Sequence, residues 1–164
     1  LNNTWLGDMP EEYLDRICFT SQDDRETFMG YYKKNSPLYA SGGIDTTVKD
    51  LHTFALMLLN KGIYNENRLL LPDSINMITN NQLKNVYAFD WGNKNRNFKF
   101  GLGARIIEDE LVTPGSYEFT GSGYSYMVCD PQKKLVGVWF VPMNTDYCSE
   151  AHVGVRDIIW SGLA

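Results

Sequence analysis

The sequence predicts an α+β fold in which helices come first, an antiparallel sheet follows and a final helix covers one face of that sheet. Three observations indicate it. Residues 46–62 carry apolar side chains at helical spacing, residues 100–142 alternate apolar and polar side chains in four stretches, and residues 149–164 return to helical spacing. Because the connections between the four stretches are short, neighbouring strands should run antiparallel.

The clearest predicted element is the helix in "TTVKDLHTFALMLLNKG". Either Thr46 or Thr47 is a natural N-cap, Asp50 follows at a spacing like that of a capping box, and Gly62 offers a C-terminal stop. Its apolar stripe, which should face the core, consists of Val48, Leu51, Phe54, Ala55, Leu58 and Leu59.

Three further helices are predicted with shorter patterns. One covers Pro10–Ile17, and a second, in "LPDSINMITNNQL", has Pro72 near its first position, where a missing N–H does little harm. A C-terminal helix begins at Ser149 as N-cap. The face of this last helix that we expect to pack on the sheet carries Val155, Ile158, Ile159 and Leu163.

The four strand candidates are "FGLGARIIED", "SYEFTGSG", "YSYMVCD" and "KLVGVWFVP". The chain therefore divides into a mostly helical and loop region, 1–97, and a region of antiparallel strands with a C-terminal helix, 98–164. We expect both to belong to a single domain.

Composition excludes several classes of function. The chain has 164 residues, is 43% hydrophobic and carries 15 basic and 20 acidic side chains, a net charge of −5. This balance lacks the basic surface that nucleic acid or anionic lipid requires. The longest apolar run, Phe54–Leu59, is far shorter than the ~20 residues of a membrane span. The N-terminal residues show no targeting signal.

No cofactor or metal site is predicted. His52 and His152 stand alone in helical patterns, and the three cysteines have neither zinc-site nor disulfide-framework spacing, so buried or free thiols are expected.

The acidic triplet at 108–110 is interpreted as a solvated turn. The "SGGI" stretch at 41–44 lacks a phosphate-binding pattern and is interpreted as a tight turn before the capped helix.

The stretch Thr120-Gly121-Ser122-Gly123 lies at the boundary of two strand candidates. Glycine weakens a strand and exposes its backbone. Two interpretations stay open on the pattern alone: a glycine-rich hairpin turn or bulge, and a flat segment of strand along which another backbone docks.

The sequence resembles the serine β-lactamase, penicillin-binding protein and related esterase family, closest to its class C-like branch. The residues that carry the resemblance are "SGGIDTTVKDLHTFALMLLNKGIYNENRLLLPDSINMITNNQL", "FGLGARI" and "FTGSGYSYMVCDPQKKLVGVWFVP", with "LNNTWL" at the start. They look like the family's Gly-Gly turn and capped helix, its "YGLGF" strand, its "HTGAGGTLFWIDPERDLVGVFM" hairpin and the segment after its "PLG". The resemblance implies the C-terminal part of a β-lactamase/transpeptidase-like fold.

The resemblance also implies site residues on the second strand candidate, "SYEFTGSG". In the family this strand forms one wall of the active site, and a backbone N–H just past the glycine helps form the oxyanion hole. Carried over, Thr120 would bind a substrate carboxylate or orient a proton shuttle, Gly121 would allow close approach, and the Ser122 N–H would be the oxyanion donor. Phe119 stands where the family has Lys, His or sometimes Trp, a departure that removes a cation or proton carrier.

Acyl-enzyme chemistry in the family needs a Ser-x-x-Lys and a Tyr-x-Asn or Ser-x-Asn element. No serine in this chain has Lys three residues later, and its one Ser-x-Asn, Ser74-Ile75-Asn76, lies at the start of the second predicted helix, away from that element's place in the family. No catalytic set is therefore complete within these 164 residues. We expect a C-terminal fragment that is inactive alone, whose "KLVGVWFVP" strand has an open apolar edge for the missing N-terminal part of the domain or for self-association.

Three functions remain open. The resemblance implies a serine hydrolase acting on β-lactams, D-Ala peptides or esters, in an extracytoplasmic setting. A catalytically silent β-lactamase-like binding or regulatory module would instead hold a peptide or partner along Tyr117–Ser122, with Phe119, Tyr124 and Tyr126 forming an aromatic groove. A stand-alone α+β domain without such a site is the third.

Overall fold

The computed structural model describes residues 1–7, 9–19, 22–23, 25–26, 43–86, 98–121, 125–141 and 149–163, with the backbone alone at 149 and 150. The predicted α+β class is confirmed. In chain order the elements are β1 (Trp5–Leu6), a 3-10 helix (Glu11–Arg16), β2 (Ile44–Asp45), α1 (Val48–Leu59), β3 (Ile63–Tyr64), β4 (Asn67–Arg68), α2 (Pro72–Thr79), β5 (Lys99–Phe100), β6 (Arg105–Ile106), β7 (Tyr117–Gly121), β8 (Ser125–Asp130), β9 (Leu135–Phe140) and α3 (Ser149–Ser161).

The main sheet has five strands in the order β5-β6-β7-β8-β9, and every neighbouring pair is antiparallel. Strands β7, β8 and β9 form a meander in which Thr120 lies opposite Tyr126, and Tyr126 lies opposite Trp139. Two small ladders, β1 with β2 and β3 with β4, stand apart from this sheet. The last three predicted strands are thus confirmed with their predicted orientation.

The first predicted strand, "FGLGARIIED", is wrong as a single strand, because it folds into the hairpin of β5 and β6. The turn closes with a 2.9 Å hydrogen bond from the Gly101 N–H to the Ala104 carbonyl. Gly103 has φ of +125°, which disfavours any side chain, and a β-carbon on Gly101 would collide with the carbonyl of Ile78. Gly101 and Gly103, which fit the alternation of a strand, therefore lie in the turn of the hairpin.

Helix α1 begins as predicted at Thr47, whose side chain accepts a 3.2 Å hydrogen bond from the Asp50 N–H. The Asp50 carboxylate is buried and accepts from the Asn3 N–H at 2.7 Å and the Thr4 hydroxyl at 2.9 Å. Burial alone would raise the pKa of Asp50, but these hydrogen bonds outweigh it and hold the pKa below its usual value. The helix start thereby anchors the N-terminal residues.

The core forms on both faces of the main sheet. One face packs against α1 and α2 through Tyr117, Met127 and Cys129, and the other packs against α3 through Tyr126 and Val128. Alternation along β7 and β8 assigns successive side chains to the two faces. The helices supply Ala55, Leu58 and Ile75 to the first face and Trp160 to the second.

The predicted packing face of α3 is wrong. Its buried residues are His152, Arg156 and Trp160, spaced by four, whereas the side chain of Ile158 is 76% exposed and Ile159 and Leu163 also reach the surface. Polar contacts, as well as burial of apolar area, determine which face of α3 packs inward. The Trp160 indole N–H donates to Asp130 at 3.0 Å, and Arg156 pairs with Asp109 at 2.5 Å.

Within the described ranges, β9 pairs with β8 and has no partner on its other side. Along this open edge runs a groove of about 680 Å³ between α1 and α3, lined by both helices and by the strand itself. The lining is mainly apolar and includes Val48, Val136, Val138, Trp139, Val155 and Ile159. Among the described strands, β9, which contains most of "KLVGVWFVP", is thus the last strand of the sheet.

None of the helices formed by the described residues has the length and apolar character needed to cross a membrane.

Candidate functional site

Strand β7 carries the candidate wall, Phe119–Gly121. Its first two residues pair with β6, Tyr117 opposite Ile106 and Glu118 opposite Arg105. The chain leaves the ladder before Arg105 through the Gly101–Ala104 turn, so among the described strands none pairs with β7 on this side beyond Glu118. An extended ligand could therefore add to this length of edge by main-chain hydrogen bonds.

Phe119 and Thr120 lie on opposite faces of the sheet. Phe119 packs on the face covered by α1 and α2, meets the Tyr117 ring edge-on with centroids 6.4 Å apart, and stands beside Gly103. Thr120 lies opposite Tyr126 on the other face and is exposed. Of the four predicted wall residues, Ser122 lies outside the described residues.

Gly121 ends β7 opposite Ser125. A β-carbon on Gly121 would collide with the Ser125 hydroxyl oxygen, so a larger residue there would require the Ser125 side chain to move. The structure thus gives Gly121 a packing reason that holds without any ligand.

Beneath the wall, Glu118 is fully buried among polar partners. It forms an ion pair with Arg105, accepts a hydrogen bond from the Tyr126 hydroxyl, and lies 4.0 Å from a guanidinium nitrogen of Arg156. Arg156 is also bonded to Asp109. This network fixes β7 to β6, β8 and α3 immediately before the wall begins.

Sequence reasoning missed this network. The sequence predicts a solvated turn at the acidic triplet, yet Asp109 pairs with buried Arg156, whereas Glu108 pairs with Lys99 at the surface. One signal was present: Glu118 occupies a position that alternates with core residues, where an acidic side chain requires a buried partner.

The predicted aromatic groove of Phe119, Tyr124 and Tyr126 is not formed as expected. Tyr126 is buried on the face opposite Phe119, and its ring stacks against those of Trp139 and His152 with centroid distances of 4.5 and 5.2 Å, while Tyr124 lies outside the described residues. The aromatic side chain of β8 therefore belongs to the core under α3.

His152 is buried on the face of α3 that packs on the sheet. Its Nδ1 accepts a 3.2 Å hydrogen bond from the Trp139 indole N–H, and its Nε2 is buried with no hydrogen-bond partner among the described residues. Because burial disfavours the charged imidazolium, the pKa of His152 is lowered from its ordinary value.

This burial predicts a pH dependence of stability. Below the ordinary histidine pKa of about 6.5, the unfolded chain takes up a proton that folded His152 resists, so stability should fall with decreasing pH by up to about 1.4 kcal/mol per pH unit. Thermal melting between pH 7.5 and 5.5 measures the slope, and His152→Asn should flatten it. The exposed His52 provides the control, because His52→Asn should keep the wild-type slope; an unchanged slope in His152→Asn would refute the assignment.

The described cysteines fit the predicted free or buried thiols. Cys18 is exposed and free, whereas Cys129 is fully buried beside Tyr117, and burial raises the pKa of its thiol to about 12. A thiol held protonated in this way is not a nucleophile at neutral pH. Cys148 lies outside the described residues. Among the described residues, no group of three His, Cys, Asp or Glu side chains could hold a metal ion.

No protein-family model matches the chain, and no curated protein matches it by sequence. Solved structures do match it. Simvastatin synthase (LovD) from Aspergillus terreus superposes with a TM-score of 0.68 at 16% identity over 98% of this chain, and a penicillin-binding protein homologue from Caulobacter crescentus with 0.59 at 19% identity over 86%. A protein assigned as a 6-aminohexanoate-dimer hydrolase from Bacillus anthracis gives 0.52 at 26% identity over 71%.

These matches cover 46%, 43% and 28%, respectively, of the three solved proteins, so the chain spans less than half of each. All three are members of the serine β-lactamase/transpeptidase fold, and the predicted resemblance is confirmed at the level of the fold.

Proposed function

We propose that this chain, which has the serine β-lactamase/transpeptidase fold, is the C-terminal part of a serine hydrolase that acts through an acyl-enzyme on β-lactam, D-Ala peptide or ester substrates. The observation that carries the proposal is that no described strand pairs with the outer side of β7 at Phe119–Gly121, the wall position that the resemblance implies. A substrate lying along this edge would place its carbonyl beside the Ser122 N–H, the proposed oxyanion donor.

The remaining catalytic groups would come from an N-terminal part of the same protein. A serine there would attack the substrate carbonyl, its proton would pass by way of a neighbouring base to the departing alcohol or amine, and water would then hydrolyse the acyl-serine. The wall alone supplies neither nucleophile nor base, so this chain should be inactive when isolated.

The open edge of β9 supports the proposal of a missing partner segment. An apolar strand edge with a groove beside it favours pairing with another strand, either from the N-terminal part of the domain or from a second copy of this chain. The partial coverage of the three similar structures is consistent with the first of these.

Intact-mass analysis after incubation with a fluorophosphonate and, separately, with a penicillin tests the proposal. The full-length protein should gain one fluorophosphonate adduct, and the isolated chain should gain none. A fluorophosphonate adduct on the isolated chain would overturn the assignment of the nucleophile to an N-terminal part. An unmodified full-length protein would overturn the hydrolase proposal and favour a catalytically silent binding module on the same scaffold.

A further inference from the structure

Three apolar residues lie on or near the wall, Phe119, Leu102 and Met77, and we call them the apolar wall patch. Leu102 and Met77 are 58% and 50% exposed, although both side chains are apolar. They are neighbours because the Leu102 N–H donates to the Met77 carbonyl at 2.9 Å. Phe119 lies beside Gly103, the residue that follows Leu102, because a β-carbon added to Gly103 would stand 3.6 Å from the Phe119 ring.

The backbone under this patch is held firmly. The β5–β6 hairpin is bonded to the end of α2, since the Gln82 N–H donates to the Phe100 carbonyl at 2.7 Å and the Phe100 N–H donates to the Asn81 side chain at 3.1 Å. Gly101 also packs against the Ile78 carbonyl too closely for a side chain. The exposed Leu102 and Met77 therefore sit on a fixed frame rather than on a chain that could turn them inward.

The patch has no charge partner for an anionic ligand among the described basic residues of β5 and β6. Arg105 lies opposite Glu118, on the face of the sheet away from Phe119, and is ion-paired with that glutamate. Lys99 is ion-paired with Glu108. A carboxylate placed on Phe119 would lose its hydration without gaining a counter-charge, whereas an alkyl or aryl group would gain by leaving water.

We infer that the apolar wall patch binds the acyl group of neutral esters, so that the enzyme selects uncharged, apolar acyl substrates over those that carry a carboxylate at the same place. The inference rests on the proposed function and narrows it to one substrate class. Phe119 contributes the part of the patch on the wall strand, and Leu102 and Met77 extend it along the acyl chain.

Two p-nitrophenyl esters of equal chain length test the inference on the full-length protein: the hexanoate, which ends in a methyl group, and the hexanedioate monoester, which ends in a carboxylate. The hexanoate should have a kcat/KM at least about tenfold higher. Phe119→Lys and Leu102→Lys should each shift the ratio toward the carboxylate ester by about tenfold or more, because each adds a cation beside the acyl chain. Leu111→Lys, which adds the same charge to the β6–β7 connection, should leave the ratio unchanged.

Fluorophosphonate labelling of each protein separates the two possible failures. A labelled wild type with equal or higher kcat/KM for the carboxylate ester would overturn the substrate class and leave the proposed function standing. The substrate class would also be overturned if the Phe119→Lys and Leu102→Lys variants both label and both keep the wild-type ratio of kcat/KM for the two esters. A wild type that does not label would overturn the proposed function and this inference together.

Discussion

Replacing Asp130 with alanine is expected to lower the free energy of unfolding by about 4 kcal/mol, the largest effect of any single substitution considered for this chain. The Asp130 carboxylate is fully buried and accepts hydrogen bonds from three parts of the fold. In its own turn it accepts from the Gln132 and Lys133 N–H groups at 3.1 and 3.0 Å. It also accepts from the Thr113 hydroxyl and N–H and from the Trp160 indole.

Alanine would leave these donors without an acceptor, and the Trp160 indole is too deeply buried to recover one from water. Asp130→Asn should cost about half as much, because one amide oxygen can still accept in the turn while the amide nitrogen cannot accept from Trp160. Urea unfolding measures the free energy of unfolding of each variant. Glu110→Ala, at an exposed carboxylate, is the matched control, and its free energy of unfolding should lie within about 0.5 kcal/mol of wild type. A loss for Asp130→Ala no larger than the control's would refute the role assigned here.

The same carboxylate gives an acid dependence. Burial alone would raise the pKa of Asp130, but hydrogen bonds from Lys133, Thr113 and Trp160 more than offset it and lower the pKa below its usual value. The stabilisation is therefore present above the ordinary carboxyl pKa of about 3.9 and is lost as pH falls through the lowered folded value. Asp130→Ala should lose less stability than wild type over that acid range.

Glu118→Ala is expected to destabilise the protein by about 3 kcal/mol, because it removes the buried anion from between Arg105 and Arg156. Arg156 is itself buried and keeps Asp109 and Asp157 as partners, which limits the loss. The Tyr126 hydroxyl would also lose its acceptor.

The exposed ion pair of Lys99 and Glu108 offers a matched comparison on the neighbouring strands. Glu108→Ala should change the free energy of unfolding by less than about 1 kcal/mol, since solvent screens that pair. Thermal or urea unfolding of the two variants at equal protein concentration measures both. Equal effects would show that burial does not distinguish the two carboxylates, contrary to the prediction.

The sequence predicted most of the fold because its main elements carry local signals. The Thr47 cap, Pro72 at the first turn of α2 and the alternation along β7, β8 and β9 each determine structure within a few residues. The failures have a different origin. The inward face of α3 is fixed by the contacts of Trp160 with Asp130 and of Arg156 with Glu118. These partners lie about 30 residues or more away in sequence, so the spacing of apolar residues along the helix does not reveal them.

The candidate site was predictable only in part for the same reason. Thr120 and Gly121 could be placed on a wall strand by resemblance, but the free edge beside them depends on where β6 leaves the ladder. That point is set by the turn at Gly101–Ala104, whose glycines fit strand alternation as well as they fit a turn. Likewise, no periodicity reveals that Leu102 bonds to Met77 or that Gly103 lies beside Phe119.

The contacts that tie the N-terminal residues to the start of α1 have a consequence for chain length. Trp5 and Leu6 pair with Asp45 and Ile44, and the Thr4 and Thr46 hydroxyl oxygens lie 2.8 Å apart, so the two ends of the intervening segment are held together. Once the ends of a segment are joined, its closure entropy grows only with the logarithm of its length, and doubling that length costs about 0.6 kcal/mol. A change in the number of residues between Leu6 and Ile44 leaves these end contacts in place, so its closure cost should be small.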